Sequence, residues 1–233
     1  MHVSEITAHE RLVTYLTAAD PALGAFAARS GPCDLTRGRE SEPFDALVRA
    51  IVSQQLGGGV AAAIHGRLLA LEGGIGTDPA ALAGASSDVL RGCGLSGAKI
   101  TALQGLARAR LEGVVPGRTE AEGLSDEELI ARLTTLRGIG RWTVEMFLML
   151  TLGRPDIMPA DDFGVREGWR LLRGHEAQLK PRDLRAVTEV FAPFRSSAAG
   201  YLWRIAGEAK RSRAAAAAAG RGSGTSGRGK RSE

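Results

Sequence analysis

Apolar residues in this chain recur at helical spacing, and no segment alternates apolar and polar residues as a strand would. In SEPFDALVRAIVSQQ, Phe44, Leu47, Val48, Ile51 and Val52 fall at i, i+3, i+4, i+7 and i+8, with Ser41 placed to cap and Pro43 near the first turn. Ser125-Asp126-Glu127-Glu128 has the form of a capping box, and Leu129, Ile130, Leu133 and Leu136 carry one apolar face to a stop at Arg137-Gly138. Further helices are predicted at about 9–18, 20–29, 60–72, 98–112, 141–152, 163–173, 183–192 and 197–213. Breakers such as LEGGIGTDP and RLEGVVPGRTEAEG separate them. The pattern predicts an all-α protein over residues 1–209, with one lobe at about 60–135, a second from 1–55 plus 136–209, and a ligand cleft between them.

Composition excludes several classes. The 233 residues, 44% hydrophobic, suffice for a substantial core. No apolar run reaches the length of a membrane span, and MHVSEITAHERL lacks the basic start and apolar stretch of a secretory signal, so a cytosolic protein is expected. Cys33 and Cys93 cannot supply a four-thiolate metal or iron–sulfur site, and the four histidines lie without ligand spacing. Both thiols therefore read as buried, and no metal site built from side chains is expected. Charge is uneven: residues 210–233 hold seven Lys/Arg against one Glu, while residues 1–209 hold 23 Lys/Arg against 25 Asp/Glu. This Gly/Ser/Ala/Arg tail is expected to be disordered, and reads either as a non-specific attractor for nucleic acid or as a solvated end.

One joint stands out, LRGIGRWTVEMFL at 136–148. Gly138 and Gly140 let the chain turn between two helices and leave bare N–H groups at the start of the second, a site the size of one phosphate. The same spacing also suits an ordinary tight turn between packed helices. Downstream, PADDFGVREG places Asp161 and Asp162 at the mouth of a helix beginning near Phe163, where an aspartate is often only an N-cap.

Taken together, LRGIGRWTVEMFLML and PADDFGVREG resemble the helix–hairpin–helix DNA glycosylases, specifically their 3-methyladenine DNA glycosylase II branch in a compact form without an N-terminal β-rich domain. AIVSQQLGGGVAAAIHGRL resembles the family's segment that enters the duplex, LRGCGLSGAKITALQGLA its second, looser hairpin, and PFRSSAAGYLWRIA its closing helix. The resemblance spans roughly residues 10–210 and implies a two-lobed fold with DNA and base pocket in the cleft.

The resemblance also implies roles. Backbone N–H groups near Gly138, Gly140 and Thr143 would contact phosphate, and an alkali cation, sodium or potassium, could rest on the carbonyls of Thr134, Leu136 and Ile139. Asp162 would be the catalytic carboxylate, leaving Asp161 as cap or support. Gln55, or else Leu56, would fill the gap left by the flipped base, and Lys99 would contact phosphate. Trp142 and Trp203 match positions that stack on the base, with Met146 one turn after Trp142; each Trp could instead be core. Relatives that also cut the strand carry a lysine where this chain has Trp142, which implies a monofunctional enzyme without lyase activity. Gly57, where the family often has Ser, leaves the shape of the duplex-entering loop open.

The expected activity is therefore excision of cationic N-methylated purines such as 3-methyladenine and 7-methylguanine from double-stranded DNA in base excision repair. A cytoplasmic, nucleoid-associated monomer is expected, with no required cofactor and no iron–sulfur cluster. The competing expectations are a non-catalytic helix–hairpin–helix DNA binder and a glycosylase for deaminated or oxidised bases.

Overall fold

The computed structural model describes residues 2–35 and 41–222, with side chains over 8–35 and 41–218. Its regular structure among those residues is helical, as the periodicity predicts. The α-helices are α1 (His2–Ala19), α2 (Pro21–Ser30), α3 (Pro43–Ser53), α4 (Gly58–Leu69), α5 (Pro79–Gly84), α6 (Ser87–Gly92), α7 (Gly97–Leu111), α8 (Arg118–Gly123), α9 (Asp126–Leu133), α10 (Arg141–Leu150), α11 (Phe163–Arg173), α12 (Pro181–Thr188) and α13 (Arg195–Gly222). Two 3-10 turns lie at Glu72–Gly74 and Glu189–Phe191. The six-residue helices α5, α6 and α8 are too short to show a periodic apolar face, and sequence periodicity does not find them. No helix among the described residues is long and apolar enough to cross a membrane.

The chain forms two compact units, Met1–Asp34 with Met158–Glu233 and Leu35–Ile157. This division differs from the expected lobes. Helices α3 and α10, expected to join residues 1–35, belong with α7 and α9, because the buried stripe of α3 packs on α7 and α10. Residues 35–55 and 136–157 therefore fall in the same unit as 60–135.

In the Leu35–Ile157 unit, Leu47, Val48, Ile51 and Val52 of α3 are fully buried, together with Leu103 and Ala107 of α7 and Leu129 and Leu133 of α9. The expected capping box starts α9: Ser125 Oγ accepts the Glu128 N–H at 3.2 Å, and the Glu128 carboxylate accepts the Ser125 N–H at 2.8 Å. Arg154, just past α10, donates to the Ala121, Glu122 and Leu124 carbonyls at 3.1, 3.2 and 2.7 Å, which binds the α8–α9 connection to the end of α10.

In the other unit, α11 packs along α13 and α1 along α2. Gly168 permits the first pairing, since a Cβ there would run into the Leu202 backbone. Trp169 is buried beside Phe191, ring centroids 6.3 Å apart, with the Arg173 guanidinium 4.4 Å above its ring. Arg173 also pairs with buried Asp20, whose carboxylate caps α2 by accepting the Ala22 and Leu23 N–H groups. α13 outruns the expected start of the tail and continues through Lys210 and the alanine run to Gly222, because alanine is the strongest helix former. The rest of that tail, residues 223–233, lies outside the described residues. Cys93 is buried and Cys33 half-buried, and burial pushes both thiols up.

Candidate active site

Residues 134–140 join α9 to α10 in a tight hairpin. The Leu136 N–H donates to the Leu133 carbonyl and the Ile139 N–H to the Leu136 carbonyl, each at 3.1 Å. Gly138 has φ +87, and a Cβ there would lie 2.8 Å from Ala102 Cβ on α7, so backbone conformation and packing both require glycine. Gly140 differs: it is the N-cap of α10 at φ −93, and nothing lies within 4 Å of where its Cβ would be. Its missing side chain serves no internal packing and leaves the outer face of the helix start bare. No side chain caps α10, so the N–H groups of its first turn, through Thr143, meet whatever approaches with the positive end of the helix dipole. That arrangement suits one phosphate. The buried Ile139 side chain pins the hairpin from inside.

The carbonyls expected to hold a cation lie in the same turn. The Leu136 carbonyl takes the Ile139 N–H and keeps a second lone pair, while among the described residues no turn or loop N–H donates to Thr134 or Ile139 carbonyls. Carbonyl oxygens are the donor type a hard alkali ion takes.

The segment expected to enter the duplex is a β-turn at Ser53–Leu56, closed by the Leu56 N–H on the Ser53 carbonyl at 3.2 Å. Gln54 at φ −53, ψ 131 followed by Gln55 at φ +58 makes it type II, with glutamine where glycine is usual. Lys99 corrects an expectation. Its ammonium donates to the Val52 carbonyl at 2.6 Å and the Gln54 carbonyl at 2.9 Å, so it holds the end of α3 instead of extending toward a phosphate. Burial lowers its pKa. The Gln54 side chain, which sequence reasoning passed over, donates to the Gly138 carbonyl at 2.8 Å and ties this turn to the hairpin. A glutamine pair preceding a loop carries no local signal for that long-range bond.

Between α3 and α10, within this unit, lies a cavity of about 950 Å³. Trp142, Thr143, Met146, Leu150, Gln54, Gln55 and Leu56 line it. The structure thus brings together the expected pocket residues Trp142 and Met146, one helical turn apart, with both candidate gap-filling residues. Trp142 is 39% exposed, which removes the reading of it as core. Arg141 is held by buried Glu145, Nε to Oε1 at 2.9 Å.

Asp162 is the N-cap of α11. Its Oδ1 accepts the Val165 N–H at 2.9 Å and the Trp203 indole N–H at 2.7 Å. The roles expected of the aspartate pair are therefore rearranged: Asp162 caps the helix itself, and Asp161 pairs with Arg185 of α12. Trp203, expected to stack on the base, directs its N–H at Asp162 and is half-buried. Gly164 makes this approach feasible, because a Cβ there would lie 2.9 Å from Trp203 Cδ1 and 3.1 Å from Asp162 Oδ1. A glycine in the first turn of a helix, against propensity, is the sequence signal for it. Phe163, beside Asp162, is 71% exposed.

Comparison with known proteins shows the family. Residues 48–193 match the family model described as HhH-GPD superfamily base excision DNA repair protein. DNA-3-methyladenine glycosylase 1 of Schizosaccharomyces pombe is 43% identical over 168 residues, covering 71% of this chain and 73% of its own length. The solved Schizosaccharomyces pombe 3-methyladenine DNA glycosylase in complex with abasic DNA has a TM-score of 0.76 at 37% identity, covering 83% of this chain and 95% of that one. A DNA-3-methyladenine glycosidase from Bacillus halodurans has a TM-score of 0.74 at 34% identity, covering 84% and 89%. The match takes in the 134–140 hairpin and the helix-capping Asp162 and spans more than half of the sequence, so the chain belongs to the HhH-GPD superfamily of base excision DNA repair proteins.

Proposed function

We propose that this protein is a monofunctional DNA glycosylase that flips cationic N-alkylated purines out of duplex DNA and hydrolyses their N-glycosidic bond. The observation that carries the reading is the Asp162 carboxylate, fixed at one oxygen by two N–H donors. A carboxylate so held cannot swing to follow a moving charge, and it stabilises positive charge that develops in place.

Breaking the bond sends its electron pair to the base, which neutralises the alkylated ring and leaves positive charge on the sugar. Water adds to C1′ and loses a proton. Asp162 favours the transition state over the ground state, because the sugar is charged only in the former. We assign Trp142 and Met146 to the face of the cationic base, where an electron-rich indole and a soft thioether attract it. Gln55 is assigned to the gap left in the duplex, and the N–H groups around Gly138, Gly140 and Thr143 to backbone phosphate. The Thr134, Leu136 and Ile139 carbonyls would hold an alkali cation, which would add positive charge beside that phosphate. With Trp142 in the place of a nucleophilic lysine, no Schiff base forms and water is the nucleophile. We further propose a monomer acting on chromosomal DNA in the cytoplasm.

The test is release of free base from methylated duplex DNA by the protein and its Asp162→Asn variant, with strand breaks scored before and after alkali. Asparagine keeps the capping oxygen, so the variant should fold and bind DNA while base release drops by about 100-fold or more. Breaks should appear only after alkali. Tight binding without base release by the unaltered protein would favour a non-catalytic DNA binder or a deaminated or oxidised lesion.

A further inference from the structure

We propose that Lys99 is a positioning residue that sets the backbone of Gln55 and thereby aims the side chain that fills the duplex. This rests on the glycosylase reading for its functional half, but its conformational half stands alone.

A type II turn differs from a type I turn by the orientation of one peptide plane, that between the two central residues. Here that plane joins Gln54 to Gln55, and its carbonyl is the one that receives the Lys99 ammonium at 2.9 Å. Were that bond absent, the plane could turn over, ψ of Gln54 and φ of Gln55 would take type I values, and Gln55 would escape the left-handed region that glutamine occupies at a cost. The Gln55 side chain would then leave the turn in another direction. The second Lys99 bond, 2.6 Å to the Val52 carbonyl, anchors the ammonium on the last turn of α3, so the turn is fixed relative to the helix that precedes it. Gln54 supplies the opposite anchor through Gly138, 2.8 Å away.

The placement of Lys99 supports a specific task. It lies in the first turn of α7, its N–H accepted by Ser96 Oγ at 3.4 Å, where a cation opposes the helix dipole. Its charge is compensated by carbonyls at the C-terminal end of α3, and burial lowers its pKa. Neither feature suits a lysine reaching outward for phosphate.

The experiment compares Lys99→Met, Lys99→Arg, Gln55→Ala and the Lys99→Met/Gln55→Ala double variant. A crystal structure of Lys99→Met should have the Gln54–Gln55 peptide turned over and a negative φ at Gln55; an unchanged turn overturns the proposal. Single-turnover base release should fall roughly tenfold in Lys99→Met, the size of the strain the lysine maintains. Gln55→Ala should fall similarly, the double variant no further than either single, and Lys99→Arg should recover most of the activity. Losses that multiply in the double variant overturn the proposal. The salt slope of binding to undamaged duplex should stay unchanged; a slope smaller by about one would identify a phosphate contact and overturn it. Should Lys99→Met fail to fold, Lys99→Gln, too short to span both carbonyls, carries the same tests. Absence of base release by the unaltered protein rejects the glycosylase reading, while the crystal structure still decides the turn.

Discussion

The Trp203 indole N–H donates to Asp162 Oδ1 at 2.7 Å, on the same oxygen that accepts the Val165 N–H at 2.9 Å. Two donors from different helices, α13 and α11, thus fix one carboxylate oxygen, and the absence of a side chain at Gly164 lets the indole come that close. Capping and the proposed catalysis are compatible in one residue, because capping uses an oxygen and the reaction uses the charge.

Trp203→Phe keeps an aromatic ring against Gly164 and removes the donor. A hydrogen bond to a charged group contributes about 1.5–3 kcal/mol, and part of that orients Asp162, so single-turnover base release should slow by about tenfold. Duplex binding should change by less than about twofold, since the contact is internal. Rates equal to those of the unaltered protein would mean that the Val165 bond alone orients the carboxylate.

The hairpin glycines should separate under mutation. Gly138→Ala meets both a φ of +87 and Ala102, and should cost about 1–3 kcal/mol of stability, read from chemical denaturation. Gly140→Ala has open space and an ordinary φ, so stability should hold while affinity for damaged and undamaged duplex falls together. Loss of affinity for damaged duplex alone would contradict the phosphate assignment.

Glu167 gives a pH dependence. Arg170 and Gln178 hydrogen bonds hold its carboxyl down at about 2 from an ordinary 4.5. A lowered carboxylate stabilises the folded state above the unfolded value and loses that contribution as pH falls through the folded one. Glu167→Gln should therefore melt lower than the unaltered protein at neutral pH, and the gap should close between about pH 4.5 and pH 2. A gap that persists at the acid end would place the effect in packing.

Deleting residues 210–233 removes seven Lys/Arg and one Glu. If Lys210, Arg211 and Arg213, carried on α13, meet DNA with the rest of the tail, the slope of log affinity against log salt should flatten by several units. An unchanged slope would make the tail a bystander.

The chain's local signals were sufficient for the existence of every long element but not for all its ends, since α3 has its N-cap at Glu42 and not at Ser41, and α13 runs on to Gly222. The five-residue apolar stripe of α3, the Ser125–Glu128 box and the two glycines before α10 each act over a few residues, and each is found where the spacing puts it. Trp142 and Met146, four residues apart on one helix, were legible as neighbours for the same reason. What tertiary structure decided depends on partners far along the chain. Whether Asp161 or Asp162 caps α11 is undetermined in the dipeptide; Arg185 takes the first and Trp203 the second, respectively 24 and 41 residues away. Lys99 looks like any lysine at the start of a helix until α3 brings two carbonyls to its ammonium from 45 and 47 residues upstream. The division into units was likewise decided by the packing of α3 on α7, since an apolar stripe specifies that a helix face is buried but not which helix covers it.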